Sequence, residues 1–202
     1  CGWHAPNNWR NFDGSPTLRA ERLPILGRFL NRNIQRFPLN VEYGDIVKGL
    51  PVSQGSCSAI YCSHILEHLS LSGFRIAIKN TYNMLCVGGV FRLVVPDLEV
   101  MIDQYAASSE RNAATRFISN TGLGRKDKAN GLNDFIVDFF GNSNHLWMWD
   151  YKSLELELTS AGFSSIRRAD FNDAINHNFL DVEVADRWTG SLGVECIRSS
   201  ES

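Results

Sequence analysis

The chain has 202 residues, of which 44% are hydrophobic and 21% charged, and its formal net charge is −2. That composition suits one globular domain, 1–202, and excludes a disordered chain, a general attraction to nucleic acid and any apolar run near the roughly 20 residues of a membrane span. Five cysteines without a CxxC pair argue against a disulfide framework, so a reducing, cytoplasmic setting is expected.

The first residues, Cys1-Gly2-Trp3-His4-Ala5-Pro6-Asn7-Asn8, lack the basic start and apolar stretch of a secretory signal. Val41-Glu42-Tyr43 reads as a short strand closed by Gly44-Asp45. Ala59-Ile60-Tyr61-Cys62 and Val90-Phe91-Arg92-Leu93-Val94-Val95 are denser apolar runs, the pattern of strands covered on both faces. Between them Phe74, Ala77, Ile78, Thr81 and Leu85 form a helical stripe, with Ser70 or Ser72 to cap its start and Gly88-Gly89 just past its end. Residues 59–95 therefore predict a βαβ unit with parallel pairing and a right-handed crossover.

Asp97 can cap a following helix that carries Leu98, Met101, Ile102 and Tyr105 on one face. A polar loop over 121–131 and a short amphipathic piece with Leu132, Phe135, Ile136 and Phe139 come next. Leu154-Glu155-Leu156-Glu157-Leu158 alternates like a strand, but Tyr151, Leu154, Leu158 and Ala161 have helical spacing, with Asp150 before and Gly162 after as caps. A helix is expected there, with Leu156 as the misfit. Residues 165–171 and 192–198 predict two terminal strands, paired antiparallel in hairpin fashion after Gly190-Ser191.

In a parallel α/β sheet, ligands bind beyond the carboxyl ends of the strands. Asp13-Gly14, Asp45, Ser63-His64 and Pro96-Asp97 stand at such ends, and two carboxylates with a hydroxyl and an imidazole suit a ligand that carries ribose hydroxyls and an amino-bearing base. Aspartates are also ordinary turn residues, so each carboxylate alone has a purely structural explanation.

The order of these motifs resembles the class I, Rossmann-like S-adenosylmethionine-dependent methyltransferases, especially small bacterial ones. The resemblance runs through Cys1-Gly2, Asn8 to Gly14, Tyr43-Gly44-Asp45-Ile46 with Leu50-Pro51, Ser58 to Leu69, Gly88 to Leu98, His145 to Asp150, Ser153-Leu154, Ala161-Gly162-Phe163 and Val194-Glu195. It implies a three-layer sandwich around a mostly parallel sheet with a C-terminal antiparallel pair, and S-adenosylmethionine as cofactor. Gly2 would pass the methionine moiety, Asp13 beside Gly14 would bind the ribose, Asp45 with Ile46 would receive the adenine, and Ser63 and His64 would line the methionine end. The family's first, central strand precedes Cys1-Gly2 and is missing from this sequence, and too few residues separate Gly2 from Asp13 for a full helix. The expectation is either that the sequence is a fragment of a longer one, or that the sheet is built without that strand or completed by another chain, such as a second copy.

The reaction implied is in-line methyl transfer to a small-molecule or sugar-type acceptor, with no nucleic acid or membrane partner. His64 and then His145 are the candidate bases, and residues 99–149 are the candidate helical, acceptor-selecting cap. Within that cap Trp147, Met148 and Trp149 are either pocket wall or core, and Arg125-Lys126-Asp127-Lys128 either meet an acidic acceptor or form a solvated loop. Two alternatives compete with this reading. A degenerate domain would fold without activity. A zinc peptidase would use the H-x-x-E-H run at 64–68, with His64 and His68 on one helix as ligands and Glu67 activating water. A nicotinamide dehydrogenase is disfavoured by the absence of G-x-G-x-x-G. The principal reading assigns no metal ligand.

Overall fold

The computed structural model describes residues 3–22, 36–124 and 144–200. The described residues fall into two compact units, one holding those up to Pro51 and the other those from Val52 onward. No helix among them is long and apolar enough to cross a membrane.

In the first unit, β1 (Asn11–Asp13) and β2 (Val41–Tyr43) pair in parallel, with Asn11, Phe12 and Asp13 opposite Val41, Glu42 and Tyr43. Helix α1 (Pro16–Glu21) starts where the chemistry favours a start: Ser15 is the N-cap, its Oγ accepts from the Leu18 N–H at 3.3 Å, and Pro16 occupies the first turn, where no N–H is needed. The small core joins Leu18, Phe37 and Val41, with Ala5 packed against them. No helix precedes β1 among the described residues, as the short spacing required.

The second unit contains a four-stranded sheet in the order β3 (Cys57–Ser63), β4 (Leu85–Pro96), β6 (Ser191–Arg198), β5 (Phe163–Ala169). β3 and β4 are parallel, and the two later pairings are antiparallel. Helix α2 (Leu71–Met84) links β3 to β4, so the predicted βαβ unit is present. Ser70 rather than Ser72 caps it, accepting from the Gly73 N–H at 3.2 Å. Phe74, Ala77, Ile78 and Thr81 are buried as the stripe predicted; Met84 completes it, because Leu85 has already entered β4. The described strands thus form two sheets.

Helix α3 (Leu98–Ala107) is capped by Asp97, whose Oδ1 accepts from the Glu99 N–H at 2.8 Å. Its predicted apolar face packs only in part: Tyr105 meets Phe117 of α4 (Ala113–Asn120) at 5.3 Å, and no α3 residue is fully buried among the described residues. Helix α4 has no counterpart in the sequence reading. The amphipathic piece around Leu132 and the Arg125–Lys128 charge run lie outside the described residues.

The ambiguous run at 154–158 is helical. α5 (Tyr151–Ser160) opens with a capping box between Asp150 and Ser153, buries Leu154 and Leu158, and leaves Leu156 67% exposed. Gly162, at φ 101°, ends that turn in a conformation few side chains tolerate. β5 begins at Phe163, two residues earlier than predicted, because Phe163 packs on Phe91 and Tyr82 at 5.8 and 5.2 Å. The antiparallel partnership of β5 and β6 holds, but not as a tight hairpin. Residues 170–190 form a long connection with 3-10 turns at His177–Asp181 and Ala185–Arg187.

That connection is pinned by charge. Tyr61, Arg92, Glu195 and Arg167 are register partners across all four strands. Arg92 is fully buried, where it donates to Glu183, Asp173, Glu195 and the Asp170 carbonyl while its guanidinium lies 4.8 Å from the Trp188 ring centroid. Arg167 holds the outer side of Glu195 at 2.6 Å and Asp173 at 2.8 Å. Sequence alternation alone predicted none of this, because a charged residue inside an apolar run does not name its partners.

Candidate functional site

In the first unit the parallel pairing of β1 and β2 puts Asp13 and Asp45 at the same, carboxyl end of adjacent strands. Each carboxylate is set by its own turn. Asp13 Oδ1 accepts from the Ser15 N–H at 2.8 Å, and Asp45 Oδ1 accepts from the Val47 N–H at 3.0 Å while Lys48 approaches Oδ2 at 3.2 Å. A Cβ built on Gly14 would stand 3.2 Å from the Gly44 carbonyl oxygen and 3.7 Å from Asp45 Cα, so a small residue there lets the two chain ends approach. The Gly44 N–H donates to the Asp13 carbonyl at 3.1 Å, and Ile46 follows, half-buried. Asp13, Gly14, Asp45 and Ile46 are therefore gathered at one edge. Gly2 lies outside the described residues.

In the second unit, β3 delivers Ser63 and His64 at its carboxyl end. Ser63 is buried, and its Oγ has no well-formed hydrogen bond among the described residues. His64 is a non-glycine residue at φ 53°, a sparsely populated conformation that persists only when its surroundings over-determine it. Three contacts do so: its N–H donates to the Val94 carbonyl at 2.9 Å, Nδ1 meets Glu67 Oε1 at 3.1 Å, and Nε2 meets the Arg187 carbonyl at 2.8 Å. A carboxylate and a carbonyl both only accept, so the ring satisfies both as imidazolium. The hydrogen bond to Glu67 accordingly raises the His64 pKa above its ordinary value. To serve as a base, His64 must first release a proton and one of these contacts.

The HxxEH run does not lie on one helix. His64 ends the strand turn, and only Leu66–His68 form a single 3-10 turn, so the pairing of His64 with His68 as ligands one helical turn apart is not realised. Glu67 is 1% exposed, and its carbonyl accepts from the Leu146 and Trp147 N–H groups at 2.7 and 3.1 Å. This ties the 144–149 segment to the turn and brings His145 against His68, with ring centroids 4.9 Å apart. Sequence reasoning named His145 but had no signal for this neighbour, 77 positions away. Trp149 is core, stacked 4.1 Å from Phe74, and Met148 is buried with it; Trp147 is 40% exposed.

No protein-family model matches the chain, and no curated protein matches it. Among solved structures, it is similar to a chain of the Haloferax volcanii complex between a methyltransferase activator and a methyltransferase, with 11% identity and a TM-score of 0.47 over 94% of this chain and 71% of that one. It is also similar to a SAM-dependent methyltransferase from Archaeoglobus fulgidus, with 12% identity and a TM-score of 0.44 over 78% and 67% of the two chains. For human N-acetylserotonin methyltransferase in complex with SAM the values are 10% and 0.41, over 84% of this chain and 37% of that one. By its own strand order, the chain is a mixed α/β protein whose described strands include two parallel pairs, one of them in a βαβ unit, and an antiparallel C-terminal pair.

Proposed function

We propose that the chain binds S-adenosylmethionine and transfers its methyl group to a small-molecule or sugar-type acceptor. The observation that supports this most directly is the placement of Asp13 and Asp45 at the carboxyl ends of two adjacent parallel strands, each carboxylate held by a backbone N–H two residues on. A carboxylate fixed in this way accepts hydrogen bonds from a ribose diol without first losing side-chain freedom. In this reading Asp13 takes the ribose, Asp45 and Ile46 take the adenine, and Gly14 keeps the approach open.

The sulfonium supplies a methyl group that is already activated. The task left to the chain is to align nucleophile, methyl carbon and sulfur and to exclude water, an effect worth about 7–11 kcal/mol in favourable intramolecular models. A base is needed only for a hydroxyl or a similarly weak acid. His64 and His145 are the proposed candidates, and residues 99–149 are the proposed acceptor-selecting cap.

The same hydrogen bonds also suit two ordinary turn aspartates, and calorimetric titration of the intact chain with S-adenosylmethionine separates the readings. One-to-one binding is expected, weakened about 10-fold or more by Asp13→Ala and by Asp45→Ala, the loss expected for a hydrogen bond to a charged group. Absence of binding, or binding indifferent to both substitutions, would overturn the proposal.

A further inference from the structure

Glu67, His68 and His145 each offer a ligand atom, and these atoms lie within 4.8 Å of one another. We propose that this cluster is a binding site for a divalent transition-metal ion of the zinc type. The three residues belong to one unit, and the inference does not depend on S-adenosylmethionine binding.

Each ring is already oriented as a ligand. His68 Nδ1 lies 3.1 Å from the Asn144 carbonyl and His145 Nδ1 lies 2.7 Å from the Thr121 carbonyl. A carbonyl accepts only, so Nδ1 carries the proton in both rings and Nε2 presents its lone pair. Backbone carbonyls hold metal-ligating histidines in this way. The carboxylate is equally committed. Glu67 Oε1 faces His64 Nδ1 at 3.1 Å and His68 Nε2 at 4.0 Å, whereas Oε2 is buried with no hydrogen-bond partner among the described residues.

His64 pairs with Oε1, but an unpaired buried carboxylate oxygen costs more than a neutral polar atom in the same place, and a cation bound at Oε2 removes that cost. From a spacing of 4.8 Å or less, each side chain needs to move by less than about 1 Å to reach zinc-ligand distances. Two imidazoles and one carboxylate favour zinc-type ions over magnesium, which prefers oxygen ligands, and leave a position open for water or an acceptor oxygen. Gly122 belongs to the design. At φ 69° it faces the His145 ring, and a Cβ there would stand 2.7 Å from Nδ1.

The test is titration of the tag-free intact chain with Zn2+ by calorimetry and with Co2+ by visible absorption, without S-adenosylmethionine. One ion per chain is expected, with the weak d–d bands of nitrogen and oxygen ligation. Glu67→Gln and His145→Ala should each lower the affinity about 100-fold or more, and Gly122→Ala about 10-fold, the scale of perturbed ligand orientation. Glu67→Gln keeps the side-chain shape and carries the test if His145→Ala disturbs its loop. Cys57→Ser/Cys86→Ser should leave binding unchanged. No stoichiometric binding, binding that survives Glu67→Gln, or an intense sulfur-to-cobalt charge-transfer band would overturn the proposal.

Discussion

Replacing Arg92 by Met is the sharpest probe of how the sheet supports the site. Arg92 and the carboxylates of Glu183 and Glu195 are fully buried. After Arg92→Met, Glu195 keeps Arg167 at 2.6 Å and the Ile175 N–H, whereas among the described residues Glu183 keeps only the Asn172 N–H at 2.8 Å. The loss therefore concentrates on Glu183, a buried carboxylate stripped of its cation, for which the expected cost is about 3–5 kcal/mol. With a urea slope of about 2 kcal/mol/M, the unfolding midpoint should fall by about 2 M. If the stranded charge is the cause, Arg92→Met/Glu183→Gln recovers part of that fall, since Gln keeps an acceptor for Asn172 without the charge. The 170–190 connection also supplies the Arg187 carbonyl to His64, so the imidazole environment should shift in the single mutant's NMR spectrum. A midpoint change below about 0.5 M, or a double mutant no more stable than the single one, would refute the reasoning.

Two further outcomes follow from local chemistry. Asp150→Ala should cost about 1 kcal/mol at neutral pH through loss of the α5 cap. The Ser153 hydroxyl and N–H hold the Asp150 carboxyl below its ordinary value of 3.8, so the stabilisation is present above that value and is lost as pH falls through the lower folded value. Urea melts at neutral pH and at about pH 3 should show the gap between wild type and mutant closing in acid; an undiminished gap would count against the cap. Burial pushes the Cys62 thiol up to about 12 and raises Cys196 as well, whereas Cys57 and Cys86 are half-buried. Iodoacetamide on the native protein, followed by peptide mass mapping, should label Cys57 and Cys86 before the other two; equal labelling would contradict the burial.

Local rules made most elements legible because their causes lie within a few residues. Ser70, Asp97 and Asp150 cap the helices that follow them, the Phe74–Thr81 stripe is buried, and the dense apolar run at 90–95 is a strand covered on both faces. Even the contest at 154–158 was decided by caps visible in the sequence, with Leu156 left in solvent. Candidate ligand carboxylates were legible too, since strand ends mark where they stand.

Partnerships over long separations were not legible. Arg92 sits in an apolar run, and its partners Asp173, Glu183 and Glu195 are strung along 81 to 103 positions downstream. The sequence suggested a hairpin between β5 and β6, while the structure inserts a connection held by that buried charge. Glu67 and His68 announced a helix-borne motif, but His64 at φ 53° breaks the helix and His145 arrives from the far side of the chain. Caps, stripes and strand ends, which act through neighbours in the chain, were determined by the sequence alone. The Arg92 network and the Glu67, His68 and His145 cluster were decided only by tertiary structure, because desolvating a charge selects its partners by proximity in space.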